Sequence, residues 1–220
     1  LQQTAITQPA LFTIQRALAA LLRSWGVAPD AVIGHSIGEY AAAVEAGILS
    51  WTGGAELVAE RGRLMQAMSP GAMLSVGLDP EELDGELSHG VGIAAHNAPR
   101  QSVLSGPIEQ IEATRDRLEA NGFTTQLLRT SHAFHSEMMN EAAAKFETAI
   151  ANATLHPPTI PLISNVTGRP ITDREATDPR FWANQILQPV RFADCVTAAM
   201  ESGPAAFLEL GPGQTLTTLT

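Results

Sequence analysis

The residues best suited to chemistry form a short run in which a serine lies between two glycines. The run Gly34-His35-Ser36-Ile37-Gly38 follows a short apolar stretch and precedes an alanine-rich segment with helical character. A G-x-S-x-G between a strand and a helix turns the backbone sharply, and the helix N-terminus stabilises negative charge beside the serine. This context predicts that Ser36 is a nucleophile. The alternative is a serine that only caps the helix.

A nucleophilic serine needs a base, and two of the six histidines lie three residues apart in the run SHAFHS at 131–136. His132 or His135 could take the Ser36 proton and later protonate a leaving thiolate. A histidine with only a structural role in the core or at the surface is the alternative. No acidic residue stands out as a third member, so we expect an amide or a backbone carbonyl to orient the base.

Arg61 is a cation within a segment whose apolar residues recur at helical spacing. It could extend its charged end to solvent, or pair with Glu56 or Glu60 on the same helix. A buried arginine would instead hold a carboxylate through two parallel hydrogen bonds, which lysine does less well. In that case the sequence predicts an acyl substrate with a free carboxylate.

The composition excludes several classes of protein. The chain has 220 residues, 45% of them apolar and 16% charged, which excludes an intrinsically disordered chain. Its net charge is −10 and its 13 basic residues are scattered, so we expect no nucleic-acid partner. No apolar run is long enough to span a membrane, so we expect no membrane association.

The cysteine content predicts the compartment. The chain has one cysteine, Cys195, which excludes an internal disulfide and a cysteine-based zinc site. This usage fits a reducing, cytoplasmic location. The sequence begins at Leu1 without an initiator methionine, and we expect it to be a fragment of a longer protein.

Helical and strand patterns alternate along most of the chain, which predicts an α/β protein with a largely parallel sheet. Outside the central region we predict helices over 8–25, 56–68, 137–152 and 181–201, and strands over 31–33, 160–165 and 205–210.

The central region, 72–130, has the order βαββαβ. The predicted strands are 72–77, 91–97, 101–106 and 123–130, and the predicted helices are 80–88 and 107–122. This is the order of a ferredoxin-like split βαβ unit. We therefore predict a large α/β unit formed by 1–71 and 131–220, incomplete at its N-terminus, and a small inserted subdomain over 72–130.

Five motifs occur in a characteristic order: GHSIGEY, ERGRLM, SHAFHS, NQILQPVRF and FLELGPGQTL. Together they resemble the acyltransferase domains of modular polyketide synthases, over essentially the whole chain. This family is related to malonyl-CoA:acyl-carrier-protein transacylases and to the loading domain of animal fatty acid synthase. The resemblance implies an α/β-hydrolase-like core with an inserted ferredoxin-like subdomain.

The resemblance also implies a role for individual residues. Ser36 matches the nucleophile that takes an acyl group from coenzyme A, and His135 matches its base. Arg61 matches the arginine that pairs with the substrate carboxylate. Gln185 matches the residue whose carbonyl orients the histidine, and the amide of Ile37 matches one donor to the oxyanion.

Substrate selectivity follows from the same resemblance. The HAFH motif together with GHSIG is typical of malonyl loading, and His132, Phe134 and Ile37 match selectivity positions. Phe134 is expected to fill the space that an α-methyl group would need. One methyl group contributes about 1 to 3 kcal/mol, so we expect partial selectivity.

The resemblance implies malonyl-CoA as substrate and the phosphopantetheine of an acyl carrier protein as acceptor, with flanking synthase domains. It implies no permanently bound cofactor and no metal. Family members carry an upstream loop that supplies a second oxyanion donor, and the loss of one donor costs roughly a hundredfold in rate. We therefore expect low activity from a chain beginning at Leu1.

Three alternatives remain open. An editing acyl hydrolase on the same scaffold would keep Ser36 and His135. A non-catalytic fragment of a synthase would have an unreactive Ser36. An α/β-hydrolase esterase would have its histidine near the end of the chain, whereas the last histidine here is His156.

Overall fold

The computed structural model describes residues 3–83, 85–201, 203 and 205–220. The helices are α1 Thr4–Ser24, α2 Gly38–Glu45, α3 Trp51–Gln66, α4 Ile108–Ala120, α5 Asn140–Ile150, α6 Asp173–Ala176, α7 Pro179–Asn184 and α8 Phe192–Met200, with 3-10 turns at Pro80–Leu83 and Glu137–Met139. The strands are β1 Val32–Ile33, β2 Ala72–Val76, β3 Gly92–Ala98, β4 Gln101–Gly106, β5 Thr125–Leu127, β6 Leu162–Ser164, β7 Arg169–Pro170 and β8 Val190–Arg191.

The main sheet has the order β1-β6-β7 among the described residues. Strand β1 pairs in parallel with β6, with Val32 opposite Leu162, and β7 runs antiparallel to β6. All three residues of β6 are buried, as expected for a strand covered on both faces. Helices α1, α2, α3, α5 and α7 contribute to one apolar cluster around these strands, so the elements that flank Ser36 are held by the largest core of the molecule.

The central region forms its own antiparallel sheet. Its strands lie in the order β5-β2-β4-β3, which places the first and third strands of the region in the middle. A second apolar cluster lies between this sheet and α4. The predicted helix over 80–88 is only the turn Pro80–Leu83, and Asp84 lies outside the described residues.

The central region is joined to the rest of the chain at its entry and exit and through its sheet. The Gly71 amide donates to the Ser131 carbonyl at 3.1 Å, where the chain enters and leaves this region. Strand β8 pairs in parallel with β3, with Ala95 opposite Val190. The second sheet is therefore extended by a strand from outside 72–130, and the domain division stays a prediction.

Helix α1 crosses α3 at a very short distance. A Cβ atom at Gly62 would lie 3.0 Å from the Thr4 carbonyl oxygen and 3.2 Å from the Ala5 Cα. Helix α1 begins at Thr4, one turn before the predicted start, and Pro9 lies inside it. The close crossing brings the buried side chain of Gln8 to Arg61 on α3.

Two further predicted elements differ from the structure. The helix predicted over 181–201 is divided into α7 and α8, because Pro189 has no amide hydrogen and disfavours a helical conformation at the residue before it. Residues 205–210 form neither strand nor helix, and Phe207 and Leu208 are exposed. A strand exists only through hydrogen bonds to a neighbouring strand, and this apolar segment makes no such ladder.

Within the described part of the chain, no helix is long and apolar enough to cross a membrane. The same residues contain no group of three or more histidine, cysteine, aspartate or glutamate side chains that could hold a metal ion.

The close crossing of α1 and α3 predicts that Gly62→Val destabilises the fold by about 1 to 3 kcal/mol, because the added carbons meet backbone atoms of α1. Urea unfolding of the variant measures this loss. Gly53→Ala on the same helix is the matched control, since its Cβ would meet only the Ser50 hydroxyl at 3.1 Å. Equal midpoints for Gly62→Val and the unmodified chain would contradict the close crossing.

Candidate active site

Ser36 lies in a sharp turn between β1 and α2. Its φ angle is 50°, in the left-handed region, which costs a residue with a side chain about 1 to 3 kcal/mol. A Cβ atom at Gly34 would lie 2.2 Å from the Glu39 amide nitrogen. Only glycine fits there, so the first glycine of the motif permits the turn that presents Ser36.

The side chains of Ser36 and His135 are in direct contact. The Nδ1 of His135 donates to the Gln188 carbonyl at 2.8 Å. The other ring nitrogen, Nε2, therefore accepts from the Ser36 hydroxyl at 2.7 Å. The Gln188 contact therefore fixes the tautomer in which Nε2 can accept a proton. His135 also has a left-handed backbone, with φ 56°.

Two backbone carbonyls act on the His135 ring. Nδ1 donates to the Gln188 carbonyl, three residues after the residue that was expected to orient it. The carbonyl of Gln185 also acts on the imidazole and opposes the fall of its pKa. The orienting role of Gln185 stays a prediction, and Gln188 is added to it.

His135 is neutral at physiological pH. Burial, and after it the positive charge of Arg61, lowers the pKa of His135 from 6.5 to about 3. A neutral imidazole with its Nε2 lone pair directed at a hydroxyl is the form that can act as a general base.

Arg61 is buried, with 1% of its surface exposed. Its Nη1 donates to Gln8 Oε1 at 2.7 Å and its Nη2 to Gln185 Oε1 at 3.0 Å. The guanidinium carbon lies 5.5 Å from the centroid of the Tyr40 ring. The cation is therefore held by neutral acceptors and an aromatic face.

Arg61 has no carboxylate within 4 Å in the described part of the chain, and its Nε has no hydrogen-bond partner there. The alternative that it pairs with Glu56 or Glu60 is wrong, since Glu60 pairs with Arg63 on the exposed side of α3. A buried charge without a counter-ion is costly. The arrangement is suited to an anionic ligand.

Gln185 connects the cation to the serine turn through its side chain. It is completely buried. Its Oε1 accepts from Arg61, and its Nε2 donates to the Ser36 carbonyl at 2.8 Å and to Glu39 Oε2 at 3.2 Å. Every polar atom of this side chain therefore has a partner.

The oxyanion donor predicted at Ile37 has suitable surroundings. Ile37 is the N-cap residue of α2, and amides at a helix N-terminus have no intrahelical acceptor. The positive end of the α2 helix dipole adds to the positive electrostatic potential of these free amides. The role of this amide stays a prediction.

Two of the three residues predicted to set selectivity, His132 and Phe134, stabilise the loop that carries His135. His132 donates from Nε2 to the Met68 carbonyl at 3.1 Å and accepts from the Ser131 hydroxyl at Nδ1. Its ring stacks on Phe134, with centroids 5.9 Å apart. Phe134 packs against the large apolar cluster around β1 and β6, and against a third cluster formed by residues of β2, β3, β4, β8 and α8. His132 thus anchors the loop to the end of α3, and its role in selectivity stays a prediction.

The structure adds four residues that the sequence reasoning did not identify. Gln8 is a polar residue on the buried face of α1, and Glu39 is an acid within a buried alanine-rich helix; both patterns were available as signals. Gln188 acts through its backbone and gives no signal. Asn97 of β3 accepts from His35 Nε2 at 2.8 Å and connects the central region to the serine turn.

Comparison with known proteins agrees with this geometry. A family model described as an acyl transferase domain matches residues 1–220. The chain is 46% identical over 213 residues, 96% of its length, to mycoketide-CoA synthase of Mycobacterium tuberculosis, and spans 5% of that protein.

Two solved structures are similar over the whole chain. The acyltransferase domain from the second module of the salinomycin polyketide synthase matches with a TM-score of 0.95 and 43% identity, covering 100% of this chain and 52% of that one. The malonyl CoA-acyl carrier protein transacylase from Clostridium perfringens matches with a TM-score of 0.93 and 30% identity, covering 99% and 71%. These likenesses confirm the predicted fold class.

The lowered pKa predicts that the His135 imidazole stays neutral down to about pH 4, because the folded chain binds its proton only near pH 3. Its ¹⁵N ring shifts against pH measure this directly. The chain unfolded in urea is the control, in which the same ring should titrate near 6.5. Stability from this group is complete above pH 6.5 and is lost as the pH falls toward 3. A folded-state midpoint near 6.5 would contradict the burial argument.

Proposed function

The chain belongs to the acyl transferase domain family, and from this premise we propose that it transfers a malonyl group from coenzyme A, through Ser36, to the phosphopantetheine thiol of an acyl carrier protein. The observation that carries the proposal is the 2.7 Å contact between Ser36 and a neutral His135, beside a buried Arg61 with no carboxylate partner among the described residues.

The first half-reaction forms an ester on Ser36. The hydroxyl proton moves to His135 Nε2 while Oγ attacks the thioester carbonyl, which becomes a tetrahedral oxyanion. The Ile37 amide and the N-terminus of α2 stabilise that negative charge. The carbon–sulfur bond then breaks, and the coenzyme A thiolate takes the proton from Nε2.

The second half-reaction repeats these steps with a different thiol. The phosphopantetheine thiol gives its proton to His135 Nε2 and attacks the Ser36 ester. When the ester bond breaks, Ser36 Oγ takes the proton back, and the serine is restored. The Gln188 carbonyl keeps Nδ1 protonated in both halves, so that Nε2 alone exchanges protons.

Arg61 provides selection for a free carboxylate. A malonyl carboxylate would supply a counter-ion that none of the described residues provides within 4 Å, and would accept from Nε and from the remaining guanidinium hydrogens. An acetyl group offers nothing to this buried cation. The name of one structural relative, malonyl CoA-acyl carrier protein transacylase, supports the same substrate class.

Selection of malonyl over methylmalonyl is assigned to Phe134, with His132 and Ile37 beside it. Phe134 is held by the stacked His132 ring and by apolar neighbours. A rigid ring resists displacement by an α-methyl group, and the discrimination is about 10- to 200-fold at most.

The reaction also needs a substrate and partners. We propose a coenzyme A thioester as substrate, and an acyl carrier protein and flanking synthase domains as partners, with no permanently bound cofactor. We place the reaction in the cytoplasm. The coverage of 5% of a mycobacterial synthase supports the flanking domains, and the single buried Cys195 fits a reducing compartment.

The proposal is tested by intact-protein mass spectrometry after incubation with malonyl-CoA, followed by addition of pantetheine. We expect a malonyl adduct on the chain, its absence in Ser36→Ala, and its loss to malonyl-pantetheine when the thiol is added. Release of free malonate without malonyl-pantetheine would indicate a hydrolase. Absence of any Ser36-dependent adduct would indicate a non-catalytic domain.

The carboxylate contact predicts that Arg61→Ala lowers kcat/KM for Ser36 acylation by malonyl-CoA about 10- to 100-fold, while acylation by acetyl-CoA is unchanged or faster. Arg63→Ala is the matched control, since Arg63 lies on the same helix and pairs only with Glu60 at the surface. An equal loss with both substrates would contradict the contact, because a folding defect does not discriminate between acyl groups.

A further inference from the structure

We propose that Glu39 is a positioning residue, which fixes the side-chain amide of Gln185 in the orientation that holds Arg61 for a substrate carboxylate. The inference deepens the proposed function, and its consequence for substrate choice rests on that function. Glu39 touches neither Ser36 Oγ nor His135 in the hydrogen-bond network, so its action is indirect.

Glu39 is the second residue of α2, and its carboxyl group has no exposed surface. Its Oε1 accepts from the Asn165 amide at 3.1 Å and its Oε2 from Gln185 Nε2 at 3.2 Å. The Ser164 hydroxyl also hydrogen-bonds to it. Burial outweighs these three donors and raises the pKa of Glu39 to about 7, so the carboxyl group is ionised above that pH.

A glutamine amide can be rotated by half a turn with no change in shape, so its hydrogen bonds determine its orientation. Arg61 can only donate, and the Ser36 carbonyl can only accept. With Glu39 ionised, Gln185 therefore has two acceptors on one side and one donor on the other. One orientation satisfies all three, with Oε1 on Arg61 and Nε2 on Ser36 and Glu39.

The opposite orientation would be doubly unfavourable. The Gln185 NH₂ group would face the Nη2 of Arg61, and its oxygen would face the Ser36 carbonyl and the Glu39 carboxylate. Arg61 would keep only the Gln8 acceptor. The guanidinium plane would then lose one of the two hydrogen bonds that orient it. Its free N–H groups would no longer have a fixed direction.

Glu39→Gln weakens this preference at almost constant volume, while the Arg61 donor and the Ser36 acceptor remain. The Asn165 amide is a fixed backbone donor, so the introduced amide turns its oxygen to Asn165 and its NH₂ to Gln185. Two NH₂ groups then face each other at the position of the 3.2 Å contact. Gln185 relieves this conflict by moving its NH₂ group away or by turning it toward Arg61, and either change disturbs the contact that orients Arg61.

The matched control is Glu45→Gln on the same helix. Glu45 pairs with Arg16 and Arg23 of α1, and it has no contact with Gln185 or Arg61 among the described residues. The substitution removes one carboxylate from α2 with the same change of charge and size. It therefore reports the general effect of such a change on folding and on the helix.

The first measurement needs no substrate. The ¹H–¹⁵N signals of the Gln185 side-chain amide, assigned by their loss in Gln185→Met, are followed at about pH 8. Two protected amide protons are expected in the unmodified chain and in Glu45→Gln, with loss of protection and shifted signals in Glu39→Gln. Unchanged signals in Glu39→Gln, or unprotected protons in the unmodified chain, would overturn the proposal.

The second measurement follows Ser36 with three reagents: malonyl-CoA, acetyl-CoA and a fluorophosphonate that labels reactive serines. In Glu39→Gln we expect the malonyl-to-acetyl ratio of kcat/KM to fall about tenfold, mainly through KM for malonyl-CoA. Fluorophosphonate labelling should stay within about threefold of the unmodified chain. An equal fall for all three reagents would overturn the proposal, because it would show a purely structural role.

The two measurements separate this inference from the proposed function. An unmodified chain that reacts with the fluorophosphonate and not with malonyl-CoA would contradict the proposed function. The amide signals of Gln185 would still decide whether Glu39 orients that side chain. Malonyl transfer by the unmodified chain with an unchanged ratio in Glu39→Gln would contradict the inference alone.

Discussion

The arrangement of this site depends on one buried positive charge. Arg61 is almost completely inaccessible, yet its described partners are two neutral side chains and an aromatic ring. These partners come from three separate segments: Gln8 from α1, Tyr40 from α2 and Gln185 from the end of α7. The helices must therefore pack in one arrangement to surround the cation with these partners. No carboxylate of the described residues lies within 4 Å of it, which leaves its charge available to a ligand.

The same charge affects the neighbouring pair Ser36 and His135. Together with burial it keeps His135 neutral, and the Gln188 carbonyl gives the ring its tautomer. Ser36 and His135 both have left-handed backbones, a cost that the surrounding packing must offset. The glycine turn on one side and the loop anchored by His132 on the other hold the two strained residues 2.7 Å apart.

Much of the serine turn could be predicted from the sequence, because its geometry is local. Glycines, an apolar strand and a helix within a few residues are enough to place Ser36. Local geometry does not choose the base, because His132 and His135 lie in the same short motif. The family resemblance pointed to His135, and the tertiary structure shows that His132 anchors a loop while His135 meets the serine. The carbonyl of Gln188 belongs to the backbone, which any residue provides. The prediction of a strand over 205–210 was wrong for a related reason. Apolar patterning does not reveal whether a neighbouring strand is present to pair with the segment.

The central claim is that a buried guanidinium receives the carboxylate of the acyl group attached to Ser36. A crystal structure of the Ser36→Ala variant with malonyl-CoA tests it most directly. The account predicts a malonyl carboxylate oxygen within about 3 Å of an Arg61 nitrogen, with the thioester carbonyl next to the Ile37 amide. A malonyl carboxylate directed to solvent, with Arg61 still bound only by Gln8 and Gln185, would contradict the account.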